Sequence, residues 1–106
     1  MSNLIKQASE EMREIILNTM GRLVGEGKLP AEPVPAFNIE IPADTSHGDF
    51  ATNAAMLCAK AFKMPPRKIA DLICENLILD GSSFERAEAA GPGFINFFLG
   101  RRWFSN

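Results

Sequence analysis

Apolar residues recur at steps of three and four from Ile5 to Leu23, through Ala8, Met12, Ile15, Ile16 and Thr19. That spacing puts them on one face of a helix over residues 3–24. Lys6, Glu10, Glu11, Arg13 and Glu14 take other positions, and Gly21, Gly25 and Gly27 loosen its end. Pro30, Pro33 and Pro35 exclude a helix and set an extended connection across residues 28–36. The period then changes to two in Phe37-Asn38-Ile39-Glu40-Ile41, the signature of a half-buried strand, which Pro42 ends.

Helical spacing returns with Phe50, Ala54, Leu57, Cys58, Ala61 and Phe62, and predicts a second helix over residues 50–63. Met64-Pro65-Pro66 stops it. Pro66 can open a third helix, whose core face is Ile69, Ala70, Leu72, Ile73 and Leu77. Asp80 to Ser83 reads as a turn. Residues 84–90 and 94–99 are expected to pair as an antiparallel hairpin across Gly91-Pro92-Gly93. Ile95, Phe97 and Leu99 should share one face. Phe94, Asn96 and Phe98 should share the other, with Asn96 marking it as the less buried.

The order helix, strand, helix, helix, hairpin defines an α+β fold of two layers, with the helices packed on one face of a small, mainly antiparallel sheet. The 106 residues suffice for one domain with one modest core. A net charge of −2 argues against non-specific polyanion binding by the whole chain. No apolar run is long enough to cross a bilayer, and the N-terminus lacks a signal peptide's apolar region, so a cytoplasmic protein with no membrane partner is expected. Cys58 and Cys74 lie in apolar helical patterns and read as small hydrophobes, not as a disulfide framework or zinc ligands. The tail, Arg101 to Asn106, ends on Trp103 and Phe104 with nothing after them to bury them, as expected of a segment of a longer protein.

The loop Thr45 to Asn53 carries the most varied chemistry. Ser46 or Asp49 could cap the helix expected from Phe50. Phe50 would stand close to the loop, and Thr52 and Asn53 would offer hydrogen bonds in the first turn. An aromatic face beside free N–H groups suits recognition, although a simple strand-to-helix turn with one core phenylalanine fits as well. Charge is uneven. Residues 1–49 hold eight acidic and four basic side chains, whereas residues 50–70 hold Lys60, Lys63, Arg67 and Lys68 and no acid. Such a local patch can contact phosphates on an acidic chain, or can be a solvated helix surface. His47 is the single histidine, and with Asp49 it lacks the third group of a triad. No phosphate loop, dinucleotide fingerprint or metal-ligand cluster is present.

Gly48-Asp49-Phe50-Ala51-Thr52-Asn53-Ala54-Ala55-Met56 resembles the GDY/F-x-x-N-x-A-M segment of the arginyl-tRNA synthetase N-terminal domain. Pro66-Arg67 with Ile69-Ala70 is similar to that family's PR-x-I/L-A helix start. Ala89-Ala90-Gly91-Pro92-Gly93-Phe94-Ile95-Asn96 is similar to its A/V-A-GPGFIN hairpin. The three motifs come in order and cover roughly residues 4–100.

The resemblance implies a tRNA-binding domain over residues 1–100 that contacts the D-loop at the outer corner of tRNA(Arg). Residues 101–106 would then start the connection to a catalytic domain of the same chain. It implies a parent ligase that charges its tRNA with arginine using ATP and magnesium, with no catalytic site, cofactor or metal in this segment. Phe50 matches the family's aromatic position and Asn53 a hydrogen-bonding one. Ala51 stands where some members have a base-reading Gln, which favours phosphate and stacking contacts. Phe50, Thr52, Asn53, Lys60, Lys63, Arg67 and Lys68 are therefore the expected tRNA-binding residues. The alternative is a non-catalytic protein-interaction module of a larger cytoplasmic protein. A small hydrolase using His47 and Asp49 is the weakest reading.

Overall fold

The computed structural model describes residues 2–100, so the tail with Trp103 and Phe104, and the connection expected over residues 101–106, lie outside the described residues. Helix α1 (Ser2–Gly25) is followed by strand β1 (Ile39–Glu40), a 3₁₀ turn (Thr45–His47) and strand β2 (Phe50–Thr52). Helices α2 (Ala54–Phe62) and α3 (Pro66–Asn76) come next, then strands β3 (Phe84–Ala90) and β4 (Phe94–Leu99). The four strands form one sheet in the order β1-β2-β4-β3, and each neighbouring pair is antiparallel.

Met12, Ile16 and Leu23 of α1, Cys58 and Phe62 of α2, and Ile69 and Ile73 of α3 bury their side chains in a single cluster with Ile95 and Phe97 of β4. The helices thus form one layer and the sheet the other, as the pattern predicts. Phe84, the first residue of the edge strand β3, is buried in the same core. Its ring meets Phe97 edge-on at 5.2 Å and Phe50 at 6.0 Å. The hairpin keeps its expected limits, and Ile95, Phe97 and Leu99 share the buried face. The proline at the first position of α3 also stands where expected.

Three local expectations need correction. The helix expected over residues 50–63 begins only at Ala54, because Phe50, Ala51 and Thr52 are drawn into the sheet opposite Phe97, Asn96 and Ile95. Three residues are too few for periodicity to separate a strand from a first helical turn, and pairing on both sides decides. The strand expected over residues 37–41 is limited to Ile39–Glu40. Phe37 is instead buried under α1, where Arg13 donates to its carbonyl at 2.9 Å and lies over its ring.

The N-cap residue of α2 is Asn53, not Ser46 or Asp49, and its side chain makes no capping hydrogen bond. The Thr52 hydroxyl accepts the Ala54 N–H at 3.2 Å and donates to the Asn38 carbonyl at 2.8 Å. Asp44 caps the 3₁₀ turn instead. Its carboxylate accepts the Ser46 N–H at 2.9 Å, and the Ser46 hydroxyl donates to it at 2.7 Å. The backbone and side-chain bonds from Ser46 hold the Asp44 carboxyl below its ordinary range.

Candidate functional site

The alternation of a strand puts neighbouring residues on opposite sides of the sheet. One side of this sheet is filled by helices. The other is open, and residues from all four strands converge on it. Glu40 pairs with Ala51, Ala51 with Asn96, and Asn96 with Glu88, so these four form one row across the open face. Phe94 lies two positions before Asn96 on the same face and is 36% exposed.

A groove of about 360 Å³ follows this face, lined by Glu40, His47, Ala51, Pro92, Phe94 and Asn96 among others. Asn96 is only 4% exposed, yet no hydrogen bond within the described residues takes up its side-chain amide. No side-chain polar atom among them is both fully buried and unpartnered, so that amide keeps its contact with solvent through the groove. An exposed aromatic ring thus stands beside a free donor and acceptor.

Two glycines hold the walls. Gly48 has φ +97, and a Cβ there would stand 2.9 Å from the Phe97 carbonyl oxygen, so the turn carrying His47 sits directly on β4. Gly93 has φ +144, and a Cβ would meet the Pro66 side chain at 2.8 Å and Met56 at 3.1 Å. The hairpin tip is thereby seated on the junction of α2 and α3.

That junction carries the basic residues. Lys60, Lys63, Arg67 and Lys68 are all exposed. Lys60 follows Met56 by four positions on the stripe of α2 that reaches the hairpin tip, and Lys63 caps the end of that helix with a left-handed backbone, φ 55. Arg67 donates to the carbonyl of Gly91, a groove residue, at 3.1 Å and to Asp71 at 3.2 Å. Asp71 lies one residue past the acid-free window of the sequence, so the patch is locally offset after all.

The other expected site residues are placed differently. Phe50 is 3% exposed and lies on the helix side of the sheet, at the floor of the depression between α1 and β1. Thr52 is fully buried and engaged at the α2 cap. Asn53 accepts the Asn38 N–H at 3.0 Å and ties β1 to the start of α2. None of the three lines the groove. Phe94 and Asn96 do, and sequence reasoning had not marked them as site residues. Their signal was legible: an asparagine between phenylalanines on the hairpin face expected to be less buried. Among the described residues, no group of His, Cys, Asp or Glu could hold a metal ion.

Fold and face together define a small α+β module with one packed and one grooved sheet surface, and a basic corner at its hairpin tip. The family model for the arginyl tRNA synthetase N terminal domain matches residues 2–99. The arginine–tRNA ligase of Acetivibrio thermocellus is 42% identical over 97% of this chain, and that of Caldanaerobacter subterraneus 41% over 97%. The chain spans about 18% of the length of either relative. Among solved structures, the arginyl-tRNA synthetase of Plasmodium falciparum shares the fold with a TM-score of 0.67 at 18% identity, over 90% of this chain and 16% of that one. The Thermus thermophilus enzyme does so with a TM-score of 0.63 at 22% identity, over 87% and 14%. The chain belongs to the arginyl-tRNA synthetase N-terminal domain family.

Proposed function

We propose that this domain is the tRNA-binding appendix of an arginine–tRNA ligase and takes an unpaired base of the D-loop into the open groove of its sheet. The observation that carries the reading is the exposed Phe94 ring beside the unengaged Asn96 amide. Proteins bind RNA loops by stacking splayed bases on aromatics and hydrogen-bonding their edges. Lys60, Lys63, Arg67 and Lys68 would take the neighbouring phosphates, because their corner adjoins the Gly91 end of the groove. Phe50, Thr52 and Asn53 then serve indirectly, by building the sheet and fastening β1.

In this reading the whole ligase, which is cytoplasmic, charges tRNA(Arg) with arginine using ATP and magnesium. The residues described here do not fit either group, since they include neither a phosphate loop nor a metal-ligand cluster. That chemistry belongs to a catalytic domain of the same chain.

The test is tRNA(Arg) binding by the 106-residue chain at low salt. Phe94→Ala should weaken it by about 1–3 kcal/mol, the value of one stacked base. Unchanged affinity in a folded Phe94→Ala protein would overturn the groove assignment. It would favour the reading of an interaction module that docks protein through the depression between α1 and β1, where Ile5, Ile39 and Ile41 are lining residues.

A further inference from the structure

We propose that Glu40 is a specificity-determining residue of the groove, accepting hydrogen bonds from a base that bears an exocyclic amino group and discriminating against uracil. The inference rests on the reading of the groove as an RNA-loop site.

The register places Glu40 and Asn96 in one row with only Ala51 between them. Two strand spacings separate them, about 10 Å from backbone to backbone. A methyl group is all that rises from the intervening strand, and Glu40, Ala51 and Asn96 line the same groove. A longer side chain at position 51 would project into it. Glu40 is exposed, lines the groove, and forms no ion pair among the described residues.

Glu40 offers the groove acceptors only, beside the His47 imidazole, which can donate as well as accept. Glu88, the far member of the row, is engaged by Arg86 at 2.8 Å and does not line the groove. No lysine or arginine lines it either. A phosphate is repelled by such a wall and belongs at the basic corner outside. A base with N–H donors is accepted by it. Adenine offers its N6 amine, cytosine its N4 amine, and guanine its N1–H and N2 amine. Uracil offers the carboxylate only its imino N–H, which lies between two carbonyl oxygens, so accepting that N–H brings a carbonyl oxygen up against the carboxylate. Asn96 can donate and accept, so it holds a ring of either kind and leaves the choice to Glu40.

The probe is an unmodified arginine-tRNA transcript together with versions carrying A, C, G or U at each unpaired D-loop position in turn. Binding of the 106-residue chain is measured for each, with a thermal melt of every variant. The wild-type chain should prefer the amino-bearing bases over uracil at one position by about tenfold or more. Glu40→Gln should shrink that preference to about twofold, and should bind the uracil version as tightly as wild type or more so, since a charge has been removed. Phe94→Ala should weaken all four versions alike.

A wild-type chain with no preference at any position overturns the inference. So does a folded Glu40→Gln chain that keeps the preference. In either case a loss of affinity in Phe94→Ala leaves the groove reading standing. If Phe94→Ala binds every version as wild type does, the groove reading itself falls, and this inference with it.

Discussion

The carboxylate of Asp49 accepts the backbone N–H of Leu99 at 2.9 Å, across fifty residues of sequence. The Asp49 N–H in turn donates to the Phe97 carbonyl at 2.9 Å. One side chain and one backbone group thus extend the β2–β4 ladder ahead of Phe50, where β2 begins. The pair also anchors the turn whose His47 borders the groove.

Asp49→Ala should leave the Leu99 N–H without its partner in a half-buried place. The expected cost is about 1–3 kcal/mol. Urea unfolding, with the midpoint shifted and the slope unchanged, checks it. Asp49→Asn keeps a carbonyl acceptor and should cost less than the alanine variant.

Phe50 is a packing residue in this structure, wedged against Phe84. Phe50→Ala should destabilise the domain by about 3–5 kcal/mol. Phe50→Leu should fold and retain wild-type tRNA affinity. A folded Phe50→Leu protein that binds tRNA poorly would contradict this placement.

The two glycines at the hairpin tip should respond differently to a methyl group. At Gly93 a Cβ collides with Pro66, whereas at Gly91 its nearest neighbour is the Phe94 ring at 3.9 Å. Gly93→Ala should therefore cost more than Gly91→Ala, which meets mainly the left-handed backbone penalty of about 1–2 kcal/mol. Thermal melts of the two variants decide it.

Lys60→Ala and Lys63→Ala should each lower the slope of log affinity against log salt by about 0.7 to 0.9, if each side chain neutralises one phosphate. Arg67→Ala should change the slope no more than these but lower the affinity further, because it also releases the Gly91 carbonyl at the end of the groove. Filter binding of tRNA(Arg) from 50 to 200 mM salt, a range in which such contacts are read readily, tests all three.

Burial pushes the thiols of Cys58 and Cys74 up to about 11, with Asp71 adding to the effect at Cys74. At pH 8 their alkylation should run about a hundredfold below that of an exposed cysteine. The sign for stability follows from the raised values. The contribution is complete below the ordinary 9.0 and is lost as pH rises from there through about 11. Urea midpoints measured across that window should fall.

Long periodic segments were legible in the sequence, and short ones were not. The face of α1 from Ala8 to Leu23 follows from spacing, since it spans enough residues to reveal its period, and the hairpin limits follow from the Gly91-Pro92-Gly93 turn between two runs of strand-forming or alternating residues. Phe50 to Thr52 did not, because three residues between two sheet neighbours carry no period of their own. The basic corner was visible as composition, but its position needed the contact of Gly93 with Pro66, which joins segments distant in sequence. The groove was hidden for a related reason. Its row of Glu40, Ala51 and Asn96 is written across three strands, and only the register assembles it.

The strand order β1-β2-β4-β3 has a consequence for how the chain is made. β4 is the last strand in sequence and yet the partner of both β2 and β3. While the ribosome has synthesised only α1 through β3, neither pairing can form. The edges of β2 and β3 that β4 pairs must then wait open, although α3 can already pack on α1 and β3. Emergence of Phe94 to Leu99 supplies the missing partner to both sides at once. The sheet should therefore close in a single late step of translation, and a ribosome stalled before Phe94 should hold a nascent chain open to proteases and chaperones.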